Sequence, residues 1–273
     1  MRAERRVELA RVALVGIDGS GKSTCARLLA GLPGRDHVVL SCLRPHENPG
    51  GPLHELSRHL DTLSAQADLV GSPDLKLAVL YLQMCTYGVA ERHFLRGPAR
   101  AIVTERHPLI DALTYLPLYR DVIERMSVPG RPATLREQLG RMPESAVEAA
   151  LAWCERLGRR PGGRAPRLDT LGAELVGLLR LPPGELIAEL ADRFAVAPPD
   201  VAILLDIDVA EAVRRVRARD RRPEPHERPD LLARIRDGYE EALKALPVRV
   251  HRVRVDGRSA PDVTTEIARL AAL

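Results

Sequence analysis

The chain reads as an α/β protein, a five-stranded parallel sheet in a three-layer α/β/α sandwich with a helical insertion. Three observations predict this. Short apolar runs recur at Arg11–Val15, His37–Cys42, Ala101–Thr104, Val201–Leu205 and Val250–Val255, with helical stretches between them. Runs of that length joined by helices are what a parallel sheet covered on both faces requires. A glycine-rich loop joins the first run to the first helix, and residues 119–199 break the β-α rhythm with helices alone.

The loop is Gly16-Ile17-Asp18-Gly19-Ser20-Gly21-Lys22-Ser23-Thr24, which fits G-x-x-x-x-G-K-[ST] letter for letter. It follows the strand Arg11–Val15 and opens the helix Cys25–Ala30, in which Leu28 and Leu29 are expected on one apolar face. Strand, glycine loop and helix together define a P-loop. Glycines let the backbone wrap a phosphate chain, and the amides at the helix start point at the anion. Lys22 then reaches the outer phosphates and Ser23 offers a hydroxyl to Mg²⁺. The expected nucleotide contacts are Gly16, Asp18, Gly19, Ser20, Gly21, Lys22, Ser23 and Thr24.

Further along, the last helix is expected to start at Ser259 as cap, with Asp262 three residues on and Val263, Ile267 and Leu270 on one side. The core is therefore assigned to residues 1–118 and 200–273, and the helical insertion to 119–199. Within the insertion, Pro143-Glu144-Ser145 opens a helix carrying Val147, Leu151 and Cys154. Pro182-Pro183-Gly184-Glu185 opens another with Leu186, Ile187, Leu190 and Phe194 apolar. Between them Arg159–Arg167 reads as a basic linker. The insertion suits a lid or a homodimer surface.

Composition bounds the rest. The 273 residues are 45% hydrophobic but only 3% aromatic, so the core is aliphatic and no base-stacking platform for nucleic acid is visible. A net charge of +4, from 41 basic and 37 acidic residues, implies no nucleic-acid partner. The four cysteines are scattered without metal-ligand spacing, which fits a reducing cytoplasm. No apolar run approaches the ~18 residues of a membrane span, and Met1–Val7 does not lead into a signal sequence.

Phosphoryl transfer needs positioning and charge neutralisation, so a carboxylate for the metal and further cations are sought at strand ends near the P-loop. Thr104-Glu105-Arg106-His107 supplies Glu105 for Mg²⁺ and Arg106 for an acceptor, with His107 as a turn residue. A second group is the helix from the cap Asp208, with Glu211 at the capping-box position, through Arg214, Arg215, Arg217 and Arg219 to Arg222. Arginines crowded on shared faces call for an anion, and phosphate clamping answers it. The Pro223–Pro229 stretch that follows reads as a mobile flap. A competing reading makes Ala202–Asp206 a Walker B strand with Asp206 on the metal; no transporter signature or N/T-K-x-D base-reading motif accompanies it.

Taken together these pieces resemble the thymidylate kinase family within the P-loop nucleoside and nucleotide kinases. The P-loop with Asp18, the segment Pro49-Gly50-Gly51, and Glu105-Arg106-His107 are similar to that family's motifs, the last also to the Glu-Arg-Ser of deoxynucleoside kinases. Leu204–Asp208, the arginine helix, Tyr239, and Val255-Asp256-Gly257 match its strand, lid, trailing tyrosine and adenine border. The resemblance implies ATP and Mg²⁺ as cofactors, Asp256 and Gly257 beside adenine, and a small-molecule nucleotide or nucleoside acceptor. It also implies a catalytic arginine from the lid, since the P-loop has none: Arg215 and Arg219, an effect of roughly 10³–10⁵ in rate. Lys22, Glu105 and Arg106 complete the expected catalytic set, and Ser23 and Glu105 the metal set.

The acceptor side departs from the family. Where its helix before the third strand carries an acidic-arginine pair, this chain has Tyr81, Gln83, Met84, Cys85, Thr86 and Tyr87, and Glu47-Asn48 stands near Pro49. Asp18, Glu47, Tyr81, Tyr87 and Arg106 are the expected acceptor contacts. The resemblance thus implies a kinase acting on a nucleoside monophosphate or related acceptor. Two other readings stand beside it: a kinase of a nucleoside or other hydroxyl, with Glu47 or Glu105 as base, and a nucleotide-binding regulator or ATPase with no acceptor.

Overall fold

The structure, a computed structural model, describes residues 10–32, 36–126, 135–160, 165–218 and 228–273. Five strands form one sheet: β1 (Ala10–Val15), β2 (His37–Ser41), β3 (Ala101–Glu105), β4 (Val201–Asp206) and β5 (Arg249–Arg254). All pairings are parallel and the order is β2-β3-β1-β4-β5. Every expected strand is present to within one residue at each end. The chain leaves β1 to opposite sides, so the carboxyl ends of β1, β3 and β4 meet where an open α/β sheet binds ligands. Register fixes this closely: Leu14 lies opposite Glu105 on one side and Ile203 on the other.

The central strands are apolar because both faces are covered; Val12 to Val15 are fully buried. β5 is different from the core strand the sequence suggested. It is an edge strand with Arg249, Arg252 and Arg254 outward and only Val253 buried, and charge on an edge discourages pairing with another chain.

Eleven helices are described: α1 (Lys22–Ala30), α2 (His54–Val70), α3 (Pro73–Phe94), α4 (Pro108–Met126), α5 (Leu135–Leu139), α6 (Glu144–Gly158), α7 (Leu171–Gly177), α8 (Pro183–Phe194), α9 (Val209–Arg217), α10 (Pro229–Ala245) and α11 (Ala260–Leu270). No helix among the described residues is long and apolar enough to cross a membrane. In α1 the inward side is Cys25, Ala26 and Leu29, while Leu28 is 39% exposed, so the two leucines do not share a face. Adjacent positions are 100° apart on a helix, and α1 is covered on one side only. α11 starts as its sequence predicts: Ser259 Oγ accepts from the Asp262 amide at 3.2 Å, with Val263 and Ile267 buried.

The helix at the centre of the packing is α3. From Leu75 to Glu91 most of its residues are buried, on every side, as a helix enclosed by others must be. It lies against α2 and α4, and the helices between α4 and β4 complete its enclosure: α6, α7 and α8 all pack on it. Two glycines set the closeness. A Cβ on Gly88 of α3 would stand 2.4 Å from the Phe194 carbonyl at the end of α8. One on Gly172 of α7 would stand 2.8 Å from the Asp74 carbonyl of α3. The Trp153 indole of α6 donates to the Leu82 carbonyl at 3.1 Å. α6 buries Ala146, Ala150, Trp153 and Leu157 besides Cys154, leaving the expected Leu151 47% exposed; the pull of Trp153 onto α3 rotates the inward face away from it. α8 turns Leu186, Leu190 and Phe194 inward, as its spacing predicts.

Gly88→Ala and Gly172→Ala each set a helix-propensity gain of about 1 kcal/mol against overpacking of about 1–3 kcal/mol. Because the opposing atoms are backbone carbonyls, overpacking wins, and urea melts should show a net loss of up to about 2 kcal/mol for each. A gain in stability would mean that α7 and α8 are free to lift from α3.

Candidate active site

The P-loop is built by close backbone approach. Gly16 (φ +143) and Gly19 (φ +86) leave no room for a Cβ, which would stand 2.6 Å from the Leu205 and Ala212 carbonyls respectively. Those contacts press the loop against β4 and α9. Gly21 (φ +93) faces open space within 4 Å, immediately before the first residue of α1. Ser20 Oγ is buried without a hydrogen-bond partner. A concavity at a helix N-terminus with an orphaned hydroxyl fits a phosphate group. Lys22 is 4% exposed; its ammonium donates to the Ile17 carbonyl at 2.8 Å and lies 3.6 Å from Asp18 Oδ1. Burial, and then the Arg106 charge, push its pKa below the usual lysine value against the pull of Asp18 and Glu105.

Three elements converge on Glu105 at the end of β3. Ser23 Oγ of α1 donates to Oε1 at 3.0 Å, and Ser41 Oγ at the end of β2 donates to Oε2 at 3.2 Å. Ser23 and Glu105 are hard oxygen donors, which fit Mg²⁺. With no group of three His, Cys, Asp or Glu suited to a metal among the described residues, phosphate oxygens and water would have to complete its shell, as is usual for this ion.

Arg106 takes a left-handed backbone (φ 67) while its amide still pairs with the Leu14 carbonyl at 2.9 Å. The turn aims its side chain across the P-loop. Its Nη2 donates to Asp18 Oδ1 at 3.0 Å, and its Nη1 to the hydroxyls of Tyr239 at 3.1 Å and Tyr115 at 3.2 Å. Asp111 Oδ1, 3.5 Å from Nη1, accepts from Tyr239 at 2.6 Å, and Asp111 Oδ2 from the His107 amide at 3.2 Å. Burial works against the Arg106 charge, but the two tyrosines and two aspartates outweigh it and hold its pKa above the usual range. Burial raises Asp111, and Arg106 and Tyr239 oppose that rise. His107 is the expected turn residue: burial pushes its pKa down to about 3, so it is neutral, and its Nδ1 accepts from the Leu109 amide at 3.3 Å.

These groups open into one cleft of about 720 Å³. Its lining includes Asp18, Gly19, Gly21, Lys22, Ser23, Thr24, Glu105, Arg106 and Tyr81 from the expected set. Two expected acceptor contacts lie elsewhere. Tyr87 is 1% exposed, points its hydroxyl to Glu91 at 3.3 Å and packs edge-on against His107. Six residues along α3 from Tyr81 turn it by about 240°, off the cleft face. Glu47 sits in a single 3-10 turn, half exposed and paired with Arg44 at 3.1 Å; Arg44 lines the cleft in its place.

The arginine helix also differs from expectation. Asp208 caps α9, accepting from the Ala210 and Glu211 amides. The reciprocal half of the capping box is absent, because the Asp208 amide donates to Asp256 Oδ1 at 3.1 Å. Glu211 instead bonds Arg214 and Arg215, both at 2.7 Å, and hydrogen bonds from those arginines bring its pKa down to about 2. The anion demanded by the crowded cations is therefore Glu211 itself. Arg215 also donates to the Val255 carbonyl at 3.1 Å and lines a second cavity of about 560 Å³ with Asp256 and Gly257, which shares no lining residue with the Lys22 cleft. Arg219 and residues 223–227 of the expected flap lie outside the described residues. Asp206, the competing metal residue, pairs with Arg236 at 2.7 Å.

Sequence reasoning passed over Asp111, Tyr115 and Ser41. Asp111 carried one usable signal, an acidic residue in the first turn after His107-Pro108; nothing local marked the other two.

No family model matches the chain. No curated protein matches it either. Among solved structures it is similar to the thymidylate kinase of Candida albicans, at 14% identity and a TM-score of 0.50, over 97% of this chain and 92% of that one. It is also similar to the deoxyadenosine kinase of M. mycoides, solved with dCMP and a flexible dCDP, at 13% identity and a TM-score of 0.49, over 96% and 100%. The first of these establishes the fold: the chain has the α/β/α architecture of that thymidylate kinase.

Arg106→Met leaves Asp18 and Asp111 facing each other without their shared cation. Unfolding in urea at pH 7 should show a loss of about 3 kcal/mol, partly recovered in Arg106→Met/Asp111→Asn. The sign with pH follows from Asp111: its folded pKa is above the unfolded value and rises further without Arg106, so the folded state binds the extra proton. The deficit should then shrink as pH falls from 7 toward the unfolded aspartate value of about 4; a deficit that grows would assign the loss to packing.

Proposed function

We propose that the protein is an ATP- and Mg²⁺-dependent kinase of the thymidylate kinase-like group, transferring a phosphoryl group to a nucleoside monophosphate or a related small acceptor. One observation carries the reading. Ser23 Oγ and the Glu105 carboxylate, 3.0 Å apart, share a cleft with Lys22 on one side and Arg106 on the other. That is the charge arrangement phosphoryl transfer uses, since positioning and electrostatics supply most of its catalysis. The likeness to the Candida albicans thymidylate kinase supports the same class at the level of fold.

ATP would supply the phosphoryl group and Mg²⁺ would offset its charge. Lys22 exchanges the Ile17 carbonyl for phosphate oxygens, and the P-loop amides hold the chain. Ser23 and Glu105 hold the cation. Arg106, locked by Asp111, Tyr115 and Tyr239, keeps Asp18 turned toward the acceptor. Arg219 would supply a further cation for the transferring phosphoryl group, and Arg215, Asp256 and Gly257 would border the base.

A second acceptor class has its own support. Most of the cleft cations already face carboxylates: Arg106 faces Asp18 and Asp111, Lys22 faces Asp18, Lys76 faces Asp68 and Arg44 faces Glu47, while Arg27 bonds the Ser23 carbonyl. A neutral acceptor with a hydroxyl fits that balance better than a second phosphate, and Glu105 or Asp18 then takes the hydroxyl proton.

Labelled ATP and Mg²⁺ with a panel of nucleosides and their 5′-monophosphates separates the classes. Transfer to a monophosphate supports the first and transfer to a hydroxyl the second; release of inorganic phosphate alone would leave only an ATPase. Lys22→Ala should lower kcat/KM by about 10²–10³-fold. Ser23→Ala should raise the Mg²⁺ concentration needed for half-maximal rate.

A further inference from the structure

Resting on the kinase reading, we infer that the helices between α4 and β4 form the specificity wall of the acceptor site. They select an acceptor whose end remote from the transferred group is an apolar ring with one hydrogen-bond donor. The first ground is position. Leu175 of α7 and Leu190 and Phe194 of α8 line the same cleft as Lys22 and Glu105, closing it between α3 and α4. α3 supplies one side of that end through Tyr81, Gln83 and Met84, and α7 and α8 supply the side that faces it.

The second ground is rigidity. The carbonyls at the end of α8 sit where a Cβ of Gly88 would be, and Gly172 seats α7 equally closely on the start of α3. Arg92 of α3 donates to the Ala195 carbonyl at 2.7 Å just beyond α8. A segment that opened and closed over the site would break these contacts each time. It is a wall rather than a lid, and walls read shape.

The third ground is chemistry. Phe194 and Tyr81 lie with ring centroids 5.5 Å apart at a 45° tilt, and Met84 and Leu190 adjoin them in the lining. Gln83, on the same helix between Tyr81 and Met84, lines the cleft at 2% exposure, and its Oε1 has no hydrogen-bond partner. A buried carbonyl oxygen with nothing to accept costs stability, and a ligand N–H or O–H relieves it. An apolar enclosure with one convergent acceptor binds a neutral ring and excludes a phosphate, so the reacting group points toward Lys22 and Glu105.

The test uses the holoenzyme assay with labelled ATP, Mg²⁺ and eight acceptors: thymidine, deoxycytidine, deoxyadenosine, deoxyguanosine and their 5′-monophosphates. Phe194→Ala, the near volume-conserving Phe194→Leu, and Gln83→Leu are compared with the wild type. For the best acceptor, Phe194→Ala should raise the acceptor KM at least tenfold with the ATP KM within twofold, and Phe194→Leu should fall between. Gln83→Leu should raise the acceptor KM while also raising the melting temperature, a pairing that a purely structural residue would not give. Should wild type transfer to an acceptor while all three variants keep its KM, or raise the ATP KM equally, the wall is refuted and the kinase stands. Failure of the wild type to phosphorylate any of the eight overturns the kinase reading, and the wall falls with it. If Phe194→Ala does not fold, Phe194→Leu and Gln83→Leu decide alone.

Discussion

The grip of Ser23 and Ser41 on the two oxygens of Glu105 is the contact on which the site's geometry depends. It ties the first turn of α1 to the ends of β2 and β3, three places far apart in sequence, and it exists only because the parallel register puts Leu14 and Ser41 both opposite Glu105. A slip of one residue in either pairing would turn the carboxylate to the other face of the sheet. The P-loop can form locally, but an oxygen partner for its hydroxyl is a property of the assembled sheet.

Arg106 adds the second layer. Its left-handed backbone is a strained choice for an arginine, and what offsets it is the set of hydrogen bonds that the turn makes possible. Asp18 comes from the P-loop, Asp111 and Tyr115 from α4, and Tyr239 from α10, so one guanidinium fixes the relative positions of three elements. The network also gives the acceptor end its electrostatic character. With Asp18 and Asp111 against it, Arg106 is a rigid positioning group more than a free cation.

What could be read from the chain follows from how local each feature is. The P-loop, the five strands and the caps at Asp208 and Ser259 are written in a few adjacent residues, and the structure has them all. Glu105 and Arg106 were legible because they end an apolar run. Tyr87 and Glu47 were misread, since choosing a cleft face on α3 requires knowing which neighbours enclose it, and an enclosed helix shows no amphipathic stripe. Arg215 was misread for another reason: the helix carried its own counter-ion, Glu211, and charge density alone cannot tell an internal anion from a bound one. Asp111 and Ser41 were missed because their roles arise from pairing across 64 residues or more, or from a bond to Tyr239 on another helix.

The segment between α4 and β4 shows how a fold of this kind can change its acceptor without touching its chemistry. Its helices rest chiefly on α3, α7 at Asp74 near the start and α8 at Gly88 and Arg92 near the end. A change in α7 or α8 therefore alters the shape of the remote end of the cleft while leaving the phosphate cradle and the carboxylate in place. The converse also holds: Gly88 and Gly172 keep α3 so close to its cover that the two must vary together. Tight backbone seating leaves that end of the cleft little room for motion, and the proposed filter rests on this rigidity and on the single unpaired oxygen of Gln83.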